Sequence, residues 1–121
     1  MTTAADKDPA EFIINAEKVC SIFGKWPTFH DAEVLTLSLD RATRPNQPSM
    51  VIRVSIDLSI VTFRFERPED LIIEDFNHQN VLTGIYFKLI EDTVHVKCDG
   101  TFGVDAAFRC QKVSVEAVEV V

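Results

Sequence analysis

The spacing of apolar residues changes from a helical period to a strand period near residue 33. In residues 8–24, DPAEFIINAEKVCSIFG, apolar side chains recur every three or four positions and form one stripe. Asp8 is a suitable N-cap, Pro9 suits the first helical position, and Gly24 can end a helix in the left-handed conformation. The pattern therefore predicts an amphipathic helix over residues 8–24 that covers one face of a sheet.

From residue 33 to residue 121, apolar and polar residues alternate in short runs, which is typical of antiparallel strands. Turn residues separate these runs at 45–48, at 91–92 and at Asp99-Gly100. In the last part of the chain, Phe102 alternates in step with the apolar residues Val104, Ala106, Phe108 and Cys110, so we expect it to face inward with them. The expected fold class is α+β: an N-terminal amphipathic helix packed on a twisted, mostly antiparallel sheet of about six strands.

The phase of the apolar positions reverses at two places in the strand region. Even-numbered positions are apolar from Ile52 to Ile60, whereas odd-numbered positions are apolar from Val61 to Phe65. Because one strand cannot keep both sets on the same face, a bulge or a bend is predicted near Val61 and Thr62. A second reversal is predicted at Gln111 or Lys112.

Composition indicates one globular domain over residues 1–121, with residues 1–7 disordered. The chain has 19 acidic and 12 basic residues, and a net charge of −7 argues against binding to nucleic acid. The same charge permits attraction to a basic partner. No apolar run reaches the roughly 20 residues of a membrane span, and the first residues do not resemble a signal peptide. Three cysteines without a C-x-x-C pair indicate reduced, buried thiols in a cytoplasmic protein.

The segment WPTFHDAEV, residues 26–34, has two interpretations. In the chemical one, His30, Asp31 and Glu33 are the centre of a small hydrolase or a metal-dependent enzyme. In the structural one, which we favour, the segment is the corner between helix and sheet: Trp26 and Phe29 fill the gap between them, and Pro27 stiffens the turn. Asp31 then accepts a backbone N–H, and His30 packs beside Trp26. We therefore expect no catalytic residue, no cofactor and no metal. The residues of this motif are Trp26, Pro27, Phe29, His30, Asp31 and Glu33.

Acidic and amide side chains follow the predicted strands and form the candidate partner-binding surface. If the acidic residues share one edge, they suit a basic partner. The amides of residues 76–80 are more often used to bond backbone groups where a strand ends, although they also suit recognition of a partner. The candidates are Glu66, Glu69, Asp70, Glu74, Asp75, Asn77, His78, Asn80, Glu91 and Asp92.

The stretch FGKWPTFHDAEVLTLSLDR, residues 23–41, resembles the opening block of the immunity protein 50 family of bacterial polymorphic toxin systems. Residues 76–87, FNHQNVLTGIYF, and residues 102–118, FGVDAAFRCQKVSVEAV, are similar to later blocks of that family. The resemblance implies a non-catalytic cytoplasmic protein that neutralises a cognate toxin by steric binding. Net acidity would suit a basic toxin such as a nuclease. A further hypothesis is a structural module that forms homodimers through its sheet edges.

Overall fold

The helical part of the chain is shorter than the sequence pattern predicts. The computed structural model describes residues 7–41 and 47–121. A 3₁₀ turn, Pro9–Glu11, begins where the Asp8 side chain accepts a hydrogen bond from the Ala10 N–H. The α-helix, α1, spans Glu17–Phe23 and is therefore not N-terminal, although it ends at Gly24 in the left-handed conformation as expected.

The prediction of a continuous helix over residues 8–24 is wrong because the chain near Ile14 bonds to a strand instead. The Ile14 N–H donates to the Val113 carbonyl at 2.9 Å, and the Ile14 carbonyl accepts from the Val115 N–H at 2.9 Å. Asn15 follows with a φ of 64°, which a helix does not allow. The apolar stripe still faces inward, and Ile13, Ala16 and Val19 are buried.

The sheet has eight strands among the described residues, two more than predicted. Its strand order is β4-β7-β6-β5-β1-β2-β3-β8, and the ladders between neighbours are antiparallel. The strands are β1 Glu33–Asp40, β2 Ser49–Ile56, β3 Ser59–Glu66, β4 Glu69–Glu74, β5 Val81–Ile90, β6 Thr93–Phe102, β7 Asp105–Cys110 and β8 Lys112–Val120.

Two short corners redirect the chain at one place in the sheet. β3 continues into β4 through Arg67 and Pro68, and β7 continues into β8 through Gln111, whose N–H donates to the Glu66 carbonyl at 2.8 Å. The pairing of β3 with β8 thus passes into the pairing of β4 with β7. The sheet folds back on itself at this corner, and the buried side chains lie on its inner side.

The first phase reversal is a hairpin turn and not a bend in one strand. Asp57, with a φ of 44°, and Leu58 separate β2 from β3, so the phase reverses earlier than Val61. The register of β3 against β8 does shift between Thr62 and Phe63, so an irregularity lies where the bulge was predicted, but it does not produce the reversal. The second reversal lies at Gln111, one of the two predicted positions.

The predicted turns differ in outcome. The hairpin at Glu91 and Asp92 joins β5 to β6 as expected. Asp99 and Gly100 lie inside β6, where register shifts against β5 replace the predicted turn. β6 runs on to Phe102, whose side chain is 50% exposed and does not face the core. The predicted turn at 45–48 and the predicted disorder of residues 1–7 fall largely outside the described residues.

β1 and β5 meet over a short distance. Their ladder consists of Glu33 opposite Val81. Beyond this point β1 continues to Asp40 and β5 continues to Ile90 in opposite directions, so each has a stretch without a neighbour on that side among the described strands. In the described part of the chain no helix is long and apolar enough to cross a membrane.

Candidate binding surfaces

The motif segment at residues 26–34 fills the opening between the helix and the sheet. The Trp26 ring makes edge-to-face contacts with Phe29, Phe63 and Phe87, at centroid distances of 5.7, 6.1 and 5.7 Å. Phe29 is fully buried, although its φ of 66° is unusual for a bulky residue. Burial of two aromatic rings offsets this backbone strain. The structural interpretation of Trp26 and Phe29 therefore agrees with the packing.

Trp26 has one unmet polar group. Its indole Nε1 is buried and has no hydrogen-bond partner among the described residues. A buried donor without an acceptor costs about 1–3 kcal/mol. The aromatic contacts of Trp26 offset this cost.

The expected roles of His30 and Asp31 are wrong. His30 is exposed and does not pack beside Trp26: its Nδ1 donates to the Thr83 carbonyl at 3.1 Å. The Asp31 carboxylate is also exposed and lies 3.6 Å from His30 Nε2, without a backbone N–H bound to it in the described structure. It is the Asp31 main-chain N–H that bonds, to the Leu82 carbonyl at 2.9 Å. The segment is therefore held by its backbone and its aromatic rings.

Among the described residues, the chemical interpretation of this segment is supported by one side-chain contact, between His30 and Asp31. Glu33 lies on β1, half-buried, opposite Val81 and Ser55 of the neighbouring strands. Within residues 7–41 and 47–121, no group of three or more His, Cys, Asp or Glu side chains is arranged to hold a metal ion.

The cysteines are free thiols in the structure. Burial raises the pKa of Cys98 from 9.0 to about 12. Burial likewise raises the pKa of Cys110 from 9.0 to about 12. Both side chains are therefore protonated near neutral pH and pack as small apolar groups. Cys20 on α1 is only half-buried, so the prediction of buried thiols applies to two of the three.

The amide-rich segment 76–80 is organised around Asn80, which is 3% exposed. Asn80 Oδ1 accepts from the N–H groups of Asn77 at 2.8 Å and Val104 at 3.1 Å, and Asn80 Nδ2 donates to the Asn77 carbonyl at 2.9 Å. Asn80 therefore bonds backbone groups at the start of β5, as its favoured interpretation predicts. Asn77 and His78 remain exposed beside it.

The predicted acidic surface divides between opposite ends of the sheet. Arg109 binds Glu69 at 3.1 Å and Asp70 at 2.7 Å. Glu66 accepts a hydrogen bond of 2.8 Å from Arg64. Asp92 lines the same cleft as Glu69 and Arg109, next to the turn that contains Glu91. This end of the surface is partly neutralised by its own arginines.

Glu74 and Asp75 lie at the other end of β4, next to the exposed segment with Asn77 and His78. Glu74 is opposite Asp105 on β7, so two carboxylates are neighbours there. Ile72 and Phe76, which are 59% and 47% exposed, flank this acidic group. Sequence reasoning missed these apolar neighbours because a strand run ending in LIIE looks buried.

A second surface, which sequence reasoning missed, lies along β5. A groove of about 390 Å³ is lined by Pro9, Trp26, Pro27, Tyr86, Phe87 and Lys88 among others. A shallow cavity of about 390 Å³ on the outer face of β5, β6 and β7 shares Tyr86 and Lys88 with it and adds His95, Lys97 and Arg109. The sequence indicated this surface only through the basic residues at outward-facing positions of these strands.

Comparison with known proteins agrees with the resemblance seen in the sequence. The family model described as Immunity protein 50 matches residues 15–121, from the segment that pairs with β8 to the end of the chain. No curated protein and no solved structure matches the chain. Because the match covers all eight strands and α1, the chain belongs to the Immunity protein 50 family.

Proposed function

We propose that this chain is an immunity protein that binds a cognate toxin in the cytoplasm and neutralises it by steric blockage, without catalysing a reaction. The observation that carries the proposal is the family match over residues 15–121. Exposed apolar side chains beside charged groups, as on β4 and β5, are features typical of surfaces that bind other proteins.

The acidic end of β4 is the part of the predicted surface that best suits a basic toxin. Glu74 and Asp75 are exposed and lie close to Asp105, which concentrates negative charge at one place. Phe76 offers an apolar contact beside them, and Asn77 and His78 offer polar ones. Complementary charge of this kind speeds encounter and orients the partner. Glu69 and Asp70, which Arg109 already binds, contribute less to this attraction.

The proposal predicts a toxin domain encoded beside the gene of this chain, and that domain provides the test. The chain should bind the catalytically inactive toxin domain in calorimetry and should protect cells that express the active form. Absence of both binding and protection with every toxin domain encoded at the locus would refute the proposal.

Reversal of charge tests the acidic contact separately. The double variant Glu74→Lys with Asp75→Lys should slow association with the toxin domain about tenfold at low salt, because steering by complementary charge is lost. Glu17→Lys with Glu119→Lys makes the same charge change on α1 and β8 and should leave the rate nearly unchanged. Equal effects of the two double variants, measured by stopped-flow fluorescence, would mean that only net charge matters and that β4 is not the contact.

A further inference from the structure

One edge of β5 is hydrogen-bonded to a neighbouring segment as far as Ile85 and has no paired strand among the described residues after it. The chain segment that precedes β1 bonds to the first half of this edge, and its last contact is the Ile85 N–H donating to the Thr28 carbonyl at 3.1 Å. Successive residues of a strand direct their backbone groups to opposite sides. Phe87 and Leu89 therefore direct their N–H and C=O groups to the same side as Ile85, where no described strand pairs with them.

The unpaired edge has a groove beside it that suits side chains. Pro9, Trp26 and Pro27 line this groove together with Phe87 of the edge itself. The volume of about 390 Å³ falls in the range of about 300–1,000 Å³ that binding sites commonly have. A strand added to β5 would direct every second side chain into this groove and the others to the outer face of the sheet.

The outer face next to the edge is basic, although the chain carries a net charge of −7. Tyr86 is opposite Lys97, and Lys88 is opposite His95, in the ladder of β5 with β6. These four residues line one shallow cavity, and Arg109 lies on its far side, where Glu69 and Asp70 neutralise it. Acidic side chains on the outward positions of an added strand would be complementary to this surface.

We propose that an extended segment of the toxin adds to β5 as an antiparallel strand, next to Phe87 and Leu89. Its inward side chains are apolar and occupy the groove beside Trp26, and its outward side chains are acidic and face Lys97. The inference rests on the proposed function and names a second contact on the opposite side of β5 from the acidic end of β4. Main-chain hydrogen bonds of this type provide affinity, and the alternate side chains provide specificity.

A second copy of the chain suits this edge less well. A two-fold axis at Phe87 would pair Ile85 with Leu89 of the copy, but the Ile85 backbone already bonds to Thr28. An axis at Lys88 would pair Phe87 with Leu89 of the copy, but it would place Lys88 opposite Lys88 on a face that is already basic, and like charges directly opposite each other are unfavourable. An axis at Leu89 would set Glu91 of the copy opposite Phe87, on the side that faces the apolar groove. Burying a carboxylate there without a partner is unfavourable.

Hydrogen exchange in the complex with the inactive toxin domain tests the added strand residue by residue. The amides of Phe87 and Leu89 should exchange quickly in the free protein and at least about tenfold more slowly in the complex, because each gains a hydrogen bond. The amides of Tyr86, Lys88 and Ile90, which face β6, are internal controls and should change little. Binding without slower exchange at Phe87 and Leu89 would overturn the inference and leave the proposed function intact.

Two variants complement the exchange experiment. Leu89→Pro removes an N–H on the open side only, which an edge strand tolerates, and should weaken toxin binding about tenfold. Lys97→Glu should weaken binding by a similar factor, whereas Lys112→Glu on β8, the matched control, should not. Unchanged affinity in both Leu89→Pro and Lys97→Glu would overturn the inference. Protection of Phe87 and Leu89 that rises with the concentration of the free protein would identify a second copy as the occupant and would also overturn it. If no toxin domain binds at all, the inference fails together with the proposed function.

Discussion

At the scale of single residues, Asn80 has the clearest structural role among the polar candidates. Its amide group serves two N–H donors and one carbonyl, and these belong to segments far apart in the chain. One side chain therefore fixes the loop before β5 to the turn after β6. This role is positional and does not depend on a partner.

Removal of the Asn80 amide should be costly. Asn80→Ala leaves the buried N–H of Val104 and the Asn77 backbone without their partner, so we expect a loss of about 2–4 kcal/mol in the free energy of unfolding. Urea denaturation would measure it. His78→Ala, two residues earlier and exposed, should change the same quantity by less than about 0.5 kcal/mol. Similar losses in both variants would contradict the role assigned to Asn80.

Residue identity alone predicted part of this picture. The aromatic contacts of Trp26 and Phe29 followed from an apolar pair at a helix–strand corner, and Asn80 followed from an amide where a strand begins. The exposure of His30 and Asp31 could not be predicted from residue identity. It depends on the left-handed backbone of Phe29 and Asp31, which turns these side chains outward. No sequence period reports such a conformation.

At the scale of elements, the turn after β6 shows how tightly the loop before β5 is packed. Gly103 has a φ of 88°, and a Cβ at this position would lie 2.3 Å from the Gln79 carbonyl oxygen and 2.8 Å from Asn80 Oδ1. Gly24, at the end of α1, has a similar φ of 82° but no atom within 4 Å of the same position. The two glycines share a left-handed conformation, which glycine adopts without strain, and differ in packing.

Alanine at each glycine separates these two effects. Gly24→Ala should reduce the free energy of unfolding by about 1–2 kcal/mol, the cost of a left-handed residue with a Cβ. Gly103→Ala should lose about 1–3 kcal/mol more, because the loop must move. Thermal unfolding of both variants would measure the difference. Equal destabilisation would show that the loop yields freely and is not fixed against β6.

The number of elements was harder to predict than their type. Alternation predicted antiparallel strands in this part of the chain, but it does not distinguish a two-residue hairpin such as Asp57-Leu58 from a bend, since both reverse the phase. The length of the helix was overestimated because the stripe of Ile13, Ala16 and Val19 is compatible both with one continuous helix and with a short helix that follows a paired segment. Only the bonds from Ile14 to β8 decide between them.

At the scale of the whole molecule, charge and open edges are distributed unevenly. The acidic end of β4 and the basic outer face of β5 and β6 are distinct surfaces in a chain with a net charge of −7. The net charge is compatible with an acidic surface but could not predict the basic one, because the basic surface depends on which strands become neighbours. A toxin that contacts both surfaces needs basic and acidic regions of its own.

The pairing of Ile14 with β8 holds the segment before α1 against the sheet, and substitution can test its contribution to stability. Ile14→Pro removes the N–H that donates to Val113, and we expect a loss of about 1–3 kcal/mol in the free energy of unfolding. Ile14→Thr keeps the N–H and changes a side chain that is nearly half exposed, so it should cost less than about 0.5 kcal/mol. Chemical denaturation would compare them. A Thr variant as unstable as the Pro variant would assign the stability to the side chain instead.

The same pairing sets an order in time for a newly made chain. Ile14 and Ser114 are 100 positions apart, so a ribosome working at about 5–20 residues per second needs about 5–20 s to supply the partner of Ile14. During that interval β3 also lacks its ladder with β8. A newly made chain therefore lacks both the pairing of Ile14 and the ladder of β3 until β8 has been translated, and under the proposed function this interval sets a minimum delay before the chain can bind a toxin.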